Sequence, residues 1–224
     1  MPFPYFGRKG VLAKYYPQPK QDTIVEPFAG SAAYALHNNN WKRDVILVDS
    51  NERLVRLWNW LINDATEDGV AALPNVVKGA PLDGDEPWVD VVRMSGSSES
   101  WGGKRTVTGW MERDWPKYRK QITGSLHKIR HWQVIHGDYT DAPDIEATWF
   151  VDPPYQKIKY GYLETRDGFD YPALGEWCRS RSGLVIVCET DDADWLPFRT
   201  LKEIKTINNT KRTEVVWTTG RRRK

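Results

Sequence analysis

Five short apolar runs punctuate the chain: Thr23-Ile24-Val25-Glu26, Val45-Ile46-Leu47-Val48, Trp132-Gln133-Val134-Ile135, Trp149-Phe150-Val151 and Leu184-Val185-Ile186-Val187-Cys188. Each is brief, rich in β-branched or aromatic residues and bounded by polar or turn residues, as strands of a buried parallel sheet are. Helical patterns lie between several of them. Residues 31–37 form one, and residues 52–62 another, with Leu54, Val55, Leu57, Trp58 and Leu61 on a helical period. Alternating β and α elements predict an α/β, Rossmann-like fold with a mostly parallel, doubly wound sheet. Near the end, residues 203–208 and 213–218, joined by Asn209-Thr210-Lys211-Arg212, read as an antiparallel hairpin closing the sheet edge.

From about Pro74 to Pro116 this rhythm is lost. The stretch is rich in Gly, Ser, Pro, Asp and Trp, and residues 94–104 have no periodicity. It predicts a lobe inserted between the second and third core strands. Trp101, Trp110 and Trp115, three of the chain's twelve tryptophans, favour a segment that packs or stacks over a disordered linker. Charge changes sign here too. Residues 63–100 hold eight acids and two bases, residues 101–130 eight bases and two acids, and the tail from Lys202 to Lys224 again eight bases and two acids. Basic residues interleaved with aromatics are as consistent with a polyanion-facing surface as with a solvated one.

At 224 residues the chain suits one large domain, or one domain with an inserted lobe. No apolar run is long enough to span a bilayer, and MPFPYFGRKG lacks a signal peptide's apolar core, so a soluble, intracellular protein is expected. Cys178 and Cys188 and the four histidines lie in no ligand spacing; neither disulfide nor metal is expected.

The fourth run breaks off at Asp152-Pro153-Pro154-Tyr155. Two prolines cannot extend a central strand, since proline lacks the amide hydrogen the ladder needs. The chain therefore leaves the sheet at Asp152, at the strand end where open α/β folds place their chemistry. Upstream, Glu26-Pro27-Phe28-Ala29-Gly30-Ser31 carries a strand into a small-residue turn whose backbone can approach a ligand. Asp49 ends the second strand, where an acid in dinucleotide folds accepts from ribose hydroxyls, although capping the next helix would also explain it. Asp138-Tyr139 follows the third, with the acid suitably placed for an adenine amino group. The chain contains neither GxGxxG nor GxxxxGK[ST], which favours a nucleoside ligand without pyrophosphate.

In this order, Tyr5-Phe6-Gly7-Arg8-Lys9, Glu26 to Ser31, Asp49, Asp138-Tyr139 and Asp152 to Tyr155 resemble the motif series of Dam-like DNA adenine methyltransferases, which carry a DPPY motif. Gly7-Arg8 stands where that family usually has two glycines. The resemblance implies a class I methyltransferase sheet, S-adenosylmethionine as cofactor without a metal, double-stranded DNA as partner, and a flipped-out adenine methylated on N6. It implies a cofactor site of Tyr5, Phe6, Gly7, Lys9, Glu26, Pro27, Phe28, Ala29, Gly30, Ser31, Asp49, Asp138, Tyr139 and Asp152. Asp152, Pro153, Pro154 and Tyr155 would be catalytic. An aromatic amine is a weak nucleophile, and Asp152 with the Pro153 carbonyl would accept its two hydrogens while Tyr155 stacks on the base. Residues 1–73 and 121–224 would form the catalytic domain, and residues 74–120 a target-recognition lobe meeting DNA through Trp101, Lys104, Arg105, Lys117, Arg119 and Lys120. The setting implied is the cytoplasm of a bacterium or phage-infected cell, in restriction-modification. Alternatives are a cytosine-N4 or RNA adenine methyltransferase, or an inactive cofactor-binding DNA-binding module.

Overall fold

The computed structural model describes residues 2–5, 9–95, 106–156, 168–205 and 211–219. Its strands are β1 Thr23–Glu26, β2 Asp44–Asp49, β3 Gln133–His136, β4 Ala147–Val151, β5 Gly183–Thr190, β6 Arg199–Lys205 and β7 Lys211–Thr218. They form one sheet in the order β3-β2-β1-β4-β5-β7-β6. The first five pair in parallel, and β7 runs antiparallel to both β5 and β6. All five expected core strands are present, as is the closing pair, except that Lys211 and Arg212 belong to β7 and not to the connection; residues 206–210 lie outside the described residues.

Period-two alternation divides the sheet's side chains between two cores. Ile24, Val45, Leu47, Phe150, Leu184 and Ile186 face one, and Val25, Val48, Trp149, Val151, Val185 and Val187 the other. The first core is covered by α1 Glu52–Asn59, extended by a π-turn at Trp60–Asp64, and by α2 Glu67–Ala71, α3 Pro87–Ser95 and α4 Gly109–Ile129; α5 Tyr171–Ser180 covers the second. Asn51 starts α1 by accepting from the amides of Arg53 and Leu54. That cap places the helix immediately after the acid ending β2.

Two expectations are corrected. Residues 31–37 form successive turns instead of a helix. Gly30 and Ala32 have φ of +46° and +48°, and the Ala35 amide donates to the Glu26 carboxyl at 2.7 Å. A buried side chain has taken a donor that a helix would use on its own backbone. Conversely, the stretch read as irregular contains α3 and the first part of α4, and α4 continues through Pro116 and across position 120. Met111, Trp115, Tyr118, Ile122, Leu126 and Ile129 recur at helical spacing and are all buried. Burying a large apolar side chain contributes about 1.5–3 kcal/mol, so together these residues outweigh the roughly 3 kcal/mol that an internal proline costs.

Side-chain ties orient this layer. Trp115 Nε1 donates to the Pro74 carbonyl at 2.9 Å, and Arg130 donates to the carbonyls of Leu61, Ile62 and Ala65. The carboxyl end of α4 is therefore tied to the π-turn that extends α1, just before β3 begins. Asp90 of α3, fully buried, pairs with Arg53, Arg56 and Arg93 and so joins α3 to α1.

Candidate active site

Parallel pairing brings four acids to one edge. Following the sheet from β3 through β2 and β1 to β4, the strand ends present Asp138, Asp49, Glu26 and Asp152 in that order.

The turn after β1 is held closely. The Ala29 amide donates to the Val48 carbonyl at 3.0 Å, the Gly30 amide to Asp49 Oδ2 at 3.2 Å, and Trp58 Nε1 to the Gly30 carbonyl at 2.9 Å. A Cβ on Gly30 would approach the Tyr5 ring to 3.1 Å at a φ that only glycine adopts freely, so Tyr5 packs on this turn. Asp49 Oδ1 also accepts from the Asn51 amide at 3.0 Å. Burial raises the Asp49 carboxyl, while the Asn51, Gly30 and Ala29 amides pull it back. An ionised carboxylate has acceptor capacity beyond these bonds, which fits ribose hydroxyls as donors. Pro27 and Ser31 are buried beside the turn. Phe28 points to the second core, stacking on Tyr139 at 5.8 Å with Phe169 at 6.2 Å. Asp138 is exposed and caps its own turn, Oδ1 accepting from the Thr140 amide and hydroxyl at 2.7 Å each. Phe6 and Gly7 lie outside the described residues.

Glu26 is 2% exposed, and its carboxyl rises to about 8 through burial, opposed by the Ala35 amide and reinforced by Asp152. Its contribution to stability is complete below the ordinary value of 4.5 and is lost as pH climbs through about 8, because the folded chain then holds a charge it disfavours. Glu26→Gln retains an acceptor for Ala35 but cannot ionise. Urea unfolding at about pH 5 and about pH 8 should show a smaller loss of stability for the variant than for the wild type; equal losses would mean that another group controls the slope.

The loop after β4 is fixed from two sides. Tyr171 of α5 donates its hydroxyl to the Pro154 carbonyl at 2.8 Å, and the Gln156 amide donates to Glu189 Oε1 of β5 at 2.8 Å. Pro153 is buried, and the Asp152 side chain is 21% exposed. Lys9 Nζ lies 3.0 Å from Asp152 Oδ1 and 3.7 Å from Glu214 Oε1. Burial alone would lower the Lys9 pKa, and the two carboxylates reverse this and raise it. Burial likewise raises the Asp152 carboxyl, with Lys9 opposing and Glu214 adding to the shift. Tyr155 is 3% exposed, Lys9 Nζ sits 4.3 Å from its ring centroid, and its hydroxyl donates to Glu214 Oε1 at 2.6 Å. A base can stack on this ring only after its cover moves.

Lys117 and Lys120 are exposed on α4, whereas Arg119 donates to the Leu73 carbonyl at 2.8 Å and to Asn75 Oδ1 at 2.7 Å, tying that segment to the helix. Trp101, Lys104 and Arg105 lie outside the described residues. Sequence reading missed Glu214, Tyr16, Glu189, Tyr171, Phe169 and Arg212, whose guanidinium lies 5.1 Å from the Tyr155 ring centroid. A signal existed for Glu214, an acid directly before Val215-Val216-Trp217, but its partner Tyr16 is 198 residues away. Among the described residues no cluster of His, Cys, Asp or Glu could hold a metal, and no helix is long and apolar enough to cross a membrane.

The family model of D12 class N6 adenine-specific DNA methyltransferases matches residues 10–89, which carry the Glu26 to Ser31 turn, Asp49 and α1 to the start of α3. Over these residues, about a third of its length, the chain is similar to the D12 class. The reaction of this class is methylation of adenine N6 in DNA, which implies S-adenosylmethionine as methyl donor. No curated protein matches the chain. Among solved structures, it is similar to the rRNA methyltransferase aviRa from Streptomyces viridochromogenes, at 15% identity and a TM-score of 0.38 over 92% of this chain and 79% of that one. The D12 match ends before α4 and the Asp152 loop.

Proposed function

We propose that this chain is a methyltransferase of the D12 class that methylates N6 of an adenine rotated out of double-stranded DNA, with Asp152 and the Pro153 carbonyl accepting the amine's hydrogens. The observation that carries this reading is the doubly anchored loop, which leaves a partly exposed carboxylate at the same sheet edge as Asp49 and the Gly30 turn. When bound, S-adenosylmethionine supplies a methyl group already activated by its sulfonium. The chain's own residues then have to orient the amine, strengthen it as a nucleophile and hold it in place. Asp152 draws the amine toward tetrahedral geometry and stabilises the positive charge that grows on its nitrogen during transfer. Rotating a base out of the duplex costs about a few kcal/mol, which protein contacts must offset.

Tyr5, Lys9, the Glu26 to Ser31 turn, Asp49, Asp138 and Tyr139 form the cofactor side of the proposed site, with Phe6 and Gly7 assigned to it from the motif. Asp49→Ala should weaken S-adenosylmethionine binding about tenfold or more, since it removes a charged acceptor, and leave cofactor-free DNA affinity unchanged. Calorimetry showing unaltered cofactor affinity would reduce Asp49 to its hydrogen bonds with Gly30 and Asn51.

Residues 74–120 are proposed as the target-recognition lobe. Trp110, 64% exposed with the Arg113 guanidinium 4.2 Å from its ring, shares one helical side with Lys117 and Lys120. If this side follows phosphates, Lys120→Ala should weaken binding to all duplex sequences alike and reduce the salt slope by about one unit. An unchanged slope would return it to solvated surface. The proposed setting, as the motif series implies, is the cytoplasm of a bacterium or phage-infected cell.

Transfer of labelled methyl groups from S-adenosylmethionine to duplex DNA and to RNA tests the acceptor. Incorporation into DNA is expected. Incorporation into RNA alone would overturn the proposal.

A further inference from the structure

We propose that Glu214 is a positioning residue for methyl transfer: it receives the Lys9 ammonium when the target amine takes the Asp152 carboxylate. This rests on the proposed function, because it requires the amine to donate to Asp152.

The geometry behind it is a competition for one oxygen. Lys9 Nζ is 3.0 Å from Asp152 Oδ1, and both side chains belong to the same enclosed site. An amine donating to Asp152 must share or displace that contact, and a buried ammonium stripped of its anion is strongly disfavoured. Glu214 Oε1 lies 3.7 Å from the same Nζ, so a small shift of the ammonium converts a loose contact into a full ion pair.

Glu214 suits this task. It is 1% exposed on β7, and its Oε1 accepts the hydroxyls of Tyr16 and Tyr155 at 2.6 Å each. Those two bonds aim one oxygen toward Lys9 and also hold the ring of the Asp152 loop. Burial keeps both phenols well above their ordinary pKa, so they remain neutral donors. Counting Lys9, Asp152 and Glu214 as ionised, the cluster carries one ammonium and two carboxylates. Asp152 can therefore turn to the substrate while Lys9 remains neutralised.

The test is the single-turnover rate of methyl transfer to duplex DNA at saturating cofactor. Wild-type protein that transfers no methyl group would overturn the proposed function itself, independently of Glu214. With active wild type, Glu214→Gln keeps an acceptor for the tyrosines but removes the charge, and is expected to slow transfer about ten- to a hundredfold. Its cofactor affinity should be unchanged. Adding Lys9→Gln should produce no further slowing, because Glu214 acts through Lys9. A wild-type rate in Glu214→Gln, or independent losses that multiply in the double variant, would overturn the proposal. Should Glu214→Gln fail to fold, Glu214→Asp carries the test: the shortened acid should slow transfer in smaller measure, with no further slowing on addition of Lys9→Gln. A wild-type rate in Glu214→Asp, or multiplied losses in that double variant, would again overturn it.

Discussion

Asp152→Ala should lower kcat by at least about a hundredfold, the effect expected when a group that stabilises developing charge is removed. In the proposed mechanism the Asp152 interaction strengthens as the amine nitrogen becomes positive, so the loss falls on the transition state more than on either bound ligand. The fold should survive. Lys9 would keep Glu214 as a partner, now 3.7 Å away, and the loop would retain its ties to Tyr171 and Glu189. Cofactor affinity should change little. A variant turning over within about tenfold of wild type would remove Asp152 from the chemistry.

Gly183→Ala should have the largest effect on stability, a loss of about 2–5 kcal/mol from backbone strain and overpacking together. Gly183 opens β5 with φ +100°, and an added Cβ would lie 2.2 Å from the Ala147 carbonyl oxygen and 3.1 Å from the Ala147 nitrogen and carbonyl carbon. Ala147 is its register partner at the start of β4, the strand that ends at Asp152. Relief would require separating two central strands. Urea unfolding monitored by far-UV circular dichroism would reveal the loss; a change below about 1 kcal/mol would mean that the strands accommodate a methyl group there.

The sheet was legible because each core strand is a short apolar run whose successive residues face two cores, and such a run has few other homes in a chain of this size. The acids at the ends of β2 and β4 were legible for the same reason: once the strands are located, Asp49 and Asp152 can only be where those strands stop. Residues 31–37 were misread because the Glu26 carboxyl, not local propensity, decides where the Ala35 amide points. The helix α4 was obscured by Pro116 and by charge on its outer side, although its inner stripe from Met111 to Ile129 has a helical period. Glu214 could not be assigned in advance. An acid in a closing hairpin reads as solvent-facing, and only the fold brings Tyr16 and Tyr155 to the same oxygen. Asp90 was hidden similarly, since its arginine partners lie on α1 as well as on its own helix.

Nucleoside analysis of duplex DNA methylated by the wild-type protein from labelled S-adenosylmethionine, with Asp152→Ala run in parallel, bears most directly on the role of the Asp152 loop. The label should elute as N6-methyladenosine's deoxy form from the wild-type reaction and be nearly absent with Asp152→Ala. Label in N4-methyldeoxycytidine, or N6-methyldeoxyadenosine formed equally well by both proteins, would contradict an adenine amine held by Asp152.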